Sequence, residues 1–246
     1  MPQPDYGLDA PKLVRRLAVR GTLILIFAVI LYIANRAGSP GAAPALAGIF
    51  GCIGLGFLVA AAMMLWSSRV GKLKLRDRML DGFSWRGDES VLDVGCGRGL
   101  LLIGAAKRLK TGKATGVDIW QSEVLTGNRP DAALSNAKIE GVASRIKIET
   151  ADARKLPFGA SSFDIVISSR AIHHIPSAQE RAKALREIAR VLKPGGRVAI
   201  FDVYHTSEYA KALRQLGLTD VSLSGFSFLW GLPCRMVTAS KVIGGG

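Results

Sequence analysis

The pattern of apolar and polar positions divides the chain in two. From Gly21 to Ala34 and from about Ala42 to Trp66 the residues are almost all apolar, and no charged residue occurs between Arg36 and Arg69. Neither run has the polar stripe of a helix at a protein surface. The second is long enough for a bilayer span of about 20 residues, and the first reaches that length if Leu13–Arg20 contributes and its arginines snorkel. Gly38-Ser39-Pro40-Gly41 marks a turn between them. Gly48, Gly51, Gly54, Gly56 and Ala60 suit close helix contact in lipid, and Tyr32 and Trp66 suit its interfaces.

After Asp88 the pattern changes to short apolar runs alternating with amphipathic ones, the sign of a parallel doubly wound sheet. Strands are expected at Val91–Val94, Lys113–Val117, Ile146–Glu149, Phe163–Ser168 and Arg197–Asp202, with two late ones near Val221–Leu223 and Arg235–Ala239. Helices are expected at Leu100–Leu109, Arg129–Glu140, Ala178–Leu192 and Ser207–Leu216, the third stopped by Lys193-Pro194-Gly195-Gly196. The expected fold is a Rossmann-like α/β sheet of seven strands preceded by two transmembrane helices. The expected divisions are 1–68 for tail and hairpin, 69–88 for a basic linker, and 89–246 for the α/β domain. Residues 1–11, polar and rich in proline, read as a mobile tail. The segment 70–88 is basic and amphipathic, with Leu73, Leu75, Met79, Leu80 and Phe83 as apolar points. It suits a helix lying near a membrane surface and equally a helix packed on the sheet.

Charge then orients the hairpin. The formal net charge is +14 in a chain that is 49% hydrophobic, which points to nucleic acid or to an anionic membrane leaflet. Lys12, Arg15, Arg16 and Arg20 precede the first run, Arg69, Lys72, Lys74, Arg76 and Arg78 follow the second, and only Arg36 lies between. The positive-inside rule places both termini and the α/β domain in the cytoplasm, in a membrane protein with two spans. Because much of the basic excess flanks the spans, no nucleic-acid partner is expected. A signal peptide cut near Ala45-Leu46-Ala47, or two buried helices of a soluble bundle, are weaker readings. The second apolar run argues against the former and the missing polar faces against the latter.

The chemistry centres on Val91-Leu92-Asp93-Val94-Gly95-Cys96-Gly97-Arg98-Gly99-Leu100. It reads as strand, glycine turn and the first turn of a helix, whose free N–H groups face a ligand. A dinucleotide fingerprint would have glycine where Leu100 stands. Asp93 suits a cationic ligand better than a pyrophosphate. Cys96 reads as a small filler, and Cys52, Cys96 and Cys234 offer neither a disulfide framework nor metal-ligand spacing. The three histidines also lack ligand spacing, and no metal is expected.

Further landmarks follow in order: Gly116-Val117-Asp118-Ile119, Thr150-Ala151-Asp152-Ala153, Phe163-Asp164-Ile165-Val166-Ile167-Ser168, Ile172-His173-His174 and Leu192-Lys193-Pro194-Gly195-Gly196. With the glycine turn, this series resembles class I S-adenosylmethionine (SAM) methyltransferases, most of all the ubiquinone/menaquinone-biosynthesis type, over Asp88 to about Asp202. The resemblance implies SAM as cofactor, held by Asp93, Gly95, Cys96, Gly97, Gly99, Asp118, Ile119, Asp152, Ala153 and Ser168. It implies that Asp118 takes the ribose hydroxyls and Asp152 the adenine amino group. The acceptor would be a small or lipid-like molecule. A base, where one is needed, would come from His173, His174, Tyr204 or His205, although a structural role suits the histidine pair well. The connection Ile119–Asn128 is longer than a simple turn, and Trp120 in it suits either adenine stacking or plain packing. Competing readings are a nicotinamide-dependent oxidoreductase, disfavoured by Leu100 and Asp152, and a non-catalytic SAM-binding membrane protein. A nucleic-acid methyltransferase is disfavoured, since no Asn-Pro-Pro-Tyr or Pro-Cys motif follows strands four or six.

Overall fold

The computed structural model describes residues 2–38, 43–121, 127–229 and 232–243. It contains two compact units, one of Leu8–Lys72 and one of Met1–Gly7 with Leu73–Gly246. The expected turn at Gly38–Gly41 falls mostly outside the described residues, Gly38 closing the first helix.

The first unit is a pair of helices, α1 (Pro11–Gly38) and α2 (Ala43–Trp66), followed by a turn of π-helix at Ser67–Gly71. Both are long and apolar enough to cross a membrane by length and composition, and each buries only a narrow seam. The buried positions recur every seven residues: Val14, Gly21 and Ala28 on α1, Ala47, Gly54 and Ala61 on α2. That spacing keeps one stripe of each helix facing its partner. At the crossing a Cβ on Gly54 would stand 2.9 Å from Leu25 Cγ, and one on Gly21 would stand 2.9 Å from the Gly54 carbonyl. Of the small residues expected at this contact, Gly54 is the close one; a Cβ at Gly48, Gly51 or Gly56 meets nothing within 4 Å. Phe27 and Phe50 meet edge-on at 5.1 Å. The entry and exit are tied by Ser68 Oγ, which donates to Asp9 Oδ2 at 3.0 Å and accepts from the Asp9 N–H at 3.1 Å.

The second unit is a seven-stranded sheet. Its strands are β1 (Ser90–Val94), β2 (Lys113–Asp118), β3 (Ile146–Thr150), β4 (Phe163–Ser169), β5 (Leu192–Asp202), β6 (Leu218–Leu223) and β7 (Arg235–Lys241), in the order β3-β2-β1-β4-β5-β7-β6. β7 alone runs antiparallel to its neighbours, β5 and β6. The helices of this unit are α3 (Lys72–Asp81), α4 (Leu100–Arg108), α5 (Pro130–Ile139), α6 (Ala178–Val191) and α7 (Thr206–Gln215). Each central strand is apolar on both sides, so the sheet carries two cores: Val91, Ile165 and Ile167 belong to one, Leu92, Val94 and Val166 to the other.

The segment 70–88 forms α3, whose Leu75, Met79 and Leu80 join the first core together with Phe83. It therefore packs against the domain, the second of the two readings allowed by its sequence. A Cβ on Gly104 of α4 would lie 2.7 Å from Leu80 Cδ1, so the helices touch where glycine leaves room. Two expectations need correction. The Leu192–Gly196 run is the start of β5 rather than only a helix stop: Phe163 pairs with Leu192 and Ile165 with Arg197, and the intervening residues form an irregularity in the ladder. Residues 2–7 are also bound to the domain, as described below.

Strand order reverses between β1 and β4, whose successive crossovers go to opposite sides. Ligands of open α/β sheets bind at such a switch point, beyond the carboxyl ends of the strands.

Candidate functional site

The glycine turn closes β1 at this switch point. The N–H groups of Gly95 and Cys96 donate to the Val117 carbonyl at 2.8 and 3.0 Å, and that of Gly97 to Asp118 Oδ2 at 2.9 Å. Gly99 caps α4 in a left-handed conformation (φ 85°), where a side chain would be strained. A Cβ on Gly95 would lie 2.1 Å from the Ala171 Cβ, so the turn lies against the segment that leads to the histidine pair.

Asp93 is buried, and its Oδ2 has no hydrogen-bond partner. Burial raises its carboxyl to about 8, the nearby Asp118 adds to this, and the Leu102 N–H in the first turn of α4 works against it. A buried carboxyl with an orphaned oxygen under a glycine cradle fits a cationic ligand, because a positive charge offsets the cost of ionising it. Cys96 is buried beside it, and burial pushes its thiol well above the ordinary range, as a filler requires.

Asp118 ends β2. Besides the Gly97 bond, its Oδ1 accepts from the Trp120 N–H at 2.7 Å and from Asn128 Nδ2 at 3.2 Å. Ile119 beside it is 49% exposed. Trp120 has φ 59°, and its ring is held by packing on the first core and by donation from Nε1 to Thr150 Oγ1 at 2.8 Å. Ser122–Thr126 of the long connection lie outside the described residues.

Asp152 follows β3 and is gripped by Arg154, whose Nη2 lies 2.6 Å from Oδ2 and whose backbone N–H donates to Oδ1 at 2.8 Å. These bonds hold its carboxyl below the usual range. Ala153 is half-buried at the margin of the second core. Ser168 Oγ donates to the Val94 carbonyl at 2.8 Å and is buried. It braces β4 against β1 under the turn. Asp164 of the same strand lies at the opposite end, where it receives the Ser90 N–H and Lys193 Nζ, both at 2.8 Å.

Of the four candidate bases, His173 meets Asp202, a contact the sequence reading did not assign. Its buried carboxylate ends β5: Oδ1 stands 2.5 Å from His173 Nδ1 and accepts the Val203 N–H at 2.8 Å, and Oδ2 accepts from the His173 N–H at 3.1 Å and from Tyr209 OH at 3.3 Å. Phenylalanine then aspartate at the end of a buried strand is the available sequence signal. The ring centroids of His173 and His174 are 3.9 Å apart, and Tyr204 lies 6.0 Å from His173. Burial, then the neighbouring His173, lowers the His174 pKa. His205 caps α7 at φ 61°, with Nδ1 3.4 Å from Glu208 Oε2. Glu208 also accepts from Arg181 Nη2 at 2.8 Å and from Nε at 3.0 Å. Among the described residues no cluster of three His, Cys, Asp or Glu is placed to hold a metal ion.

One more feature shares this end of the sheet. β7 begins at Arg235, paired with Asp202. The connection before it, pinned by the Ser227–Cys234 bridge, therefore lies at the Tyr204 end and exposes Phe226, Phe228 and Leu232. Tyr204 is 62% exposed, and the Arg235 guanidinium sits 5.1 Å from the Phe226 ring centre.

A seven-stranded sheet of this order, with a glycine turn after β1 and carboxylates at the ends of β1, β2 and β5, has the Rossmann-like fold of class I methyltransferases. Residues 92–200 match the model of the family described as "Methyltransferase domain". The chain is 37% identical over 120 residues to the sterol 4-C-methyltransferase strm-1 of Caenorhabditis elegans, a match covering 49% of this chain and 33% of that one. It is 32% identical over 127 residues to the ubiquinone/menaquinone biosynthesis C-methyltransferase UbiE of Roseobacter denitrificans, covering 52% and 47%. The chain thus spans between a third and a half of the length of these two relatives. Among solved structures, a SAM-dependent methyltransferase from Aquifex aeolicus superposes with a TM-score of 0.56 at 22% identity, covering 74% of this chain and 98% of that one.

Proposed function

We propose that this chain is a membrane-anchored methyltransferase that moves a methyl group from SAM to a small, lipid-like acceptor at the cytoplasmic face. The observation that carries the reading is the meeting of two half-sites at the switch point. The cradle of Asp93, Gly95, Cys96, Gly97, Gly99 and Asp118 lies against Ala171, one turn from the His173–Asp202 contact. The cradle holds SAM, with Asp118 turning from Gly97 and Asn128 to the ribose and Ile119, Asp152 and Ala153 around the adenine. Ser168 braces the floor.

SAM supplies a methyl group made electrophilic by its sulfonium. The chain aligns the acceptor and excludes water, the largest services an enzyme gives to such a transfer. Where the acceptor carries a proton, His173 takes it at Nε2. Asp202 accepts the His173 backbone N–H and places its carboxylate beside Nδ1, where its charge stabilises the imidazolium that results. His174 stays neutral beside it. Tyr204 and His205 flank the acceptor.

The lipid-like acceptor is supported by the exposed Tyr204, Phe226, Phe228 and Leu232, an apolar rim at the open end of the site. The curated relatives' names include a sterol and a quinone-pathway methyltransferase. The anchor is supported by α1 and α2, whose large apolar residues outside the seam are exposed, as lipid-facing residues are.

The test uses the full chain in phospholipid vesicles, with methyl-labelled SAM and a membrane-lipid extract. Label should pass into the organic phase, and Asp118→Ala should reduce SAM affinity by about 1–3 kcal/mol through lost charge-assisted bonds. Label found only in water-soluble products overturns the lipid acceptor. Unchanged SAM affinity in the folded variant overturns the cradle.

A further inference from the structure

Residues 2–7 precede the first long helix, yet they belong to the methyltransferase unit. Their bonds fall on the glycine turn and on α5, the helix beside it. The Asp5 N–H donates to Asn136 Oδ1 at 2.8 Å, and Asn136 Nδ2 donates to the Asp5 carbonyl at 2.8 Å and to the Arg98 carbonyl at 3.0 Å. Asn136 is buried, so Asp5 supplies two of the three bonds recorded for its amide. Arg98, between Gly97 and Gly99, donates from Nε to the Asp5 carbonyl at 2.8 Å and from Nη2 to Asp5 Oδ2 at 2.6 Å. Asp5 Oδ1 is turned back on its own segment by the Gly7 N–H at 2.8 Å. Tyr6 packs on the first core, and its hydroxyl donates to Glu140 Oε1 at 3.0 Å.

The segment therefore grips both the side chain and, through Asn136, the backbone carbonyl of the one cation in the turn. We propose that Asp5 is a positioning residue of the cofactor site, acting through Arg98 to set the shape and the charge of the turn that holds SAM. This rests on the assignment of the Gly95–Gly99 turn to SAM.

Two physical consequences separate this role from a merely structural one. Shape affects SAM and its demethylated product S-adenosylhomocysteine alike, since both use the same turn. Charge does not: SAM carries a sulfonium that the product lacks. With Asp5 in place a carboxylate lies 2.6 Å from the guanidinium; without it one negative charge is gone from beside the turn, and the more positive field there disfavours the sulfonium form more strongly. Asp5 is 70% exposed at its side chain, so this repulsion is screened by salt.

The experiment measures binding of SAM and of S-adenosylhomocysteine by calorimetry on the full chain in detergent, for the wild type, Asp5→Asn, and Asp5→Asn combined with Arg98→Gln. Asp5→Asn should weaken both ligands by about fivefold, the upper end of what an exposed ion pair contributes. It should weaken SAM a further two- to threefold relative to the product at low salt, a preference about halved at high salt, and the second substitution should restore the ratio. Thermal unfolding of the unliganded protein controls for folding, and Tyr6→Phe, which loses the Glu140 bond but keeps the packing, should leave the ratio of affinities unchanged. Equal effects on the two ligands, or no effect on either, overturn the proposal while leaving the cradle intact. A wild type that binds neither ligand overturns the assignment of the turn itself.

Discussion

At Asp93 a single carboxyl bears on stability and, in the proposed cofactor site, on binding. Its folded pKa of about 8 lies above the ordinary aspartate value, so the folded protein holds this proton more tightly than the unfolded chain. The sign follows: the stabilising contribution is full below about pH 4 and is lost as pH rises towards 8. Asp93→Asn mimics the protonated form and does not titrate. In the unliganded protein the variant's melting temperature should climb relative to the wild type between pH 5 and 8, and a gap that stays constant with pH would show that Asp93 is ionised throughout. The sequence marked Asp93 as acidic beside a glycine turn, but its missing partner became visible only once β1 was buried between β2 and β4. Asp202 makes the same point in reverse. It was legible as the end of a strand, while its contact with His173 depends on β4 and β5 being neighbours across 29 residues of sequence.

At the scale of elements, composition located the apolar helices and tertiary packing chose their contact face. A scatter of glycines along α2 gave no reason to prefer one; the seven-residue seam does. Gly54→Leu forces side-chain atoms into Leu25 and the Gly21 carbonyl, whereas Gly56→Leu points into open space. The first should destabilise the α1–α2 pair by about 1–3 kcal/mol, the usual cost of overpacking, and the second should not. Thermal unfolding in detergent compares them directly, and equal melting shifts would refute the crossing. The start of β5 carries a similar lesson. Proline and glycine are strong local stop signals, so Leu192–Gly196 read as a break. The ladder to Phe163 pulls the run into the sheet and absorbs its extra residues as an irregularity.

For the whole molecule, the chain leaves the methyltransferase unit at Gly7 and rejoins it at Leu73. In the proposed membrane arrangement both junctions lie on one side, which requires an even number of crossings, as two spans provide. Reporter tags at the two termini should therefore both be cytoplasmic, protected in right-side-out vesicles and accessible in inverted ones. Tags on opposite sides would exclude the hairpin.

The sequence by itself determined the alternation of strand and helix, the glycine turn, the acidic residues at the ends of β1 and β2 and after β3, and the two apolar runs. These depend on periodicity and on residues close along the chain, where neighbours in sequence are neighbours in space. Only the tertiary structure decided which carboxylate meets which histidine, which glycines face each other, and that residues 2–7 are fastened to Arg98 and Asn136. Asp5 lies 131 residues from Asn136 in the chain. No local pattern encodes such a pairing, because it arises when the folded sheet brings the ends of distant elements to one edge.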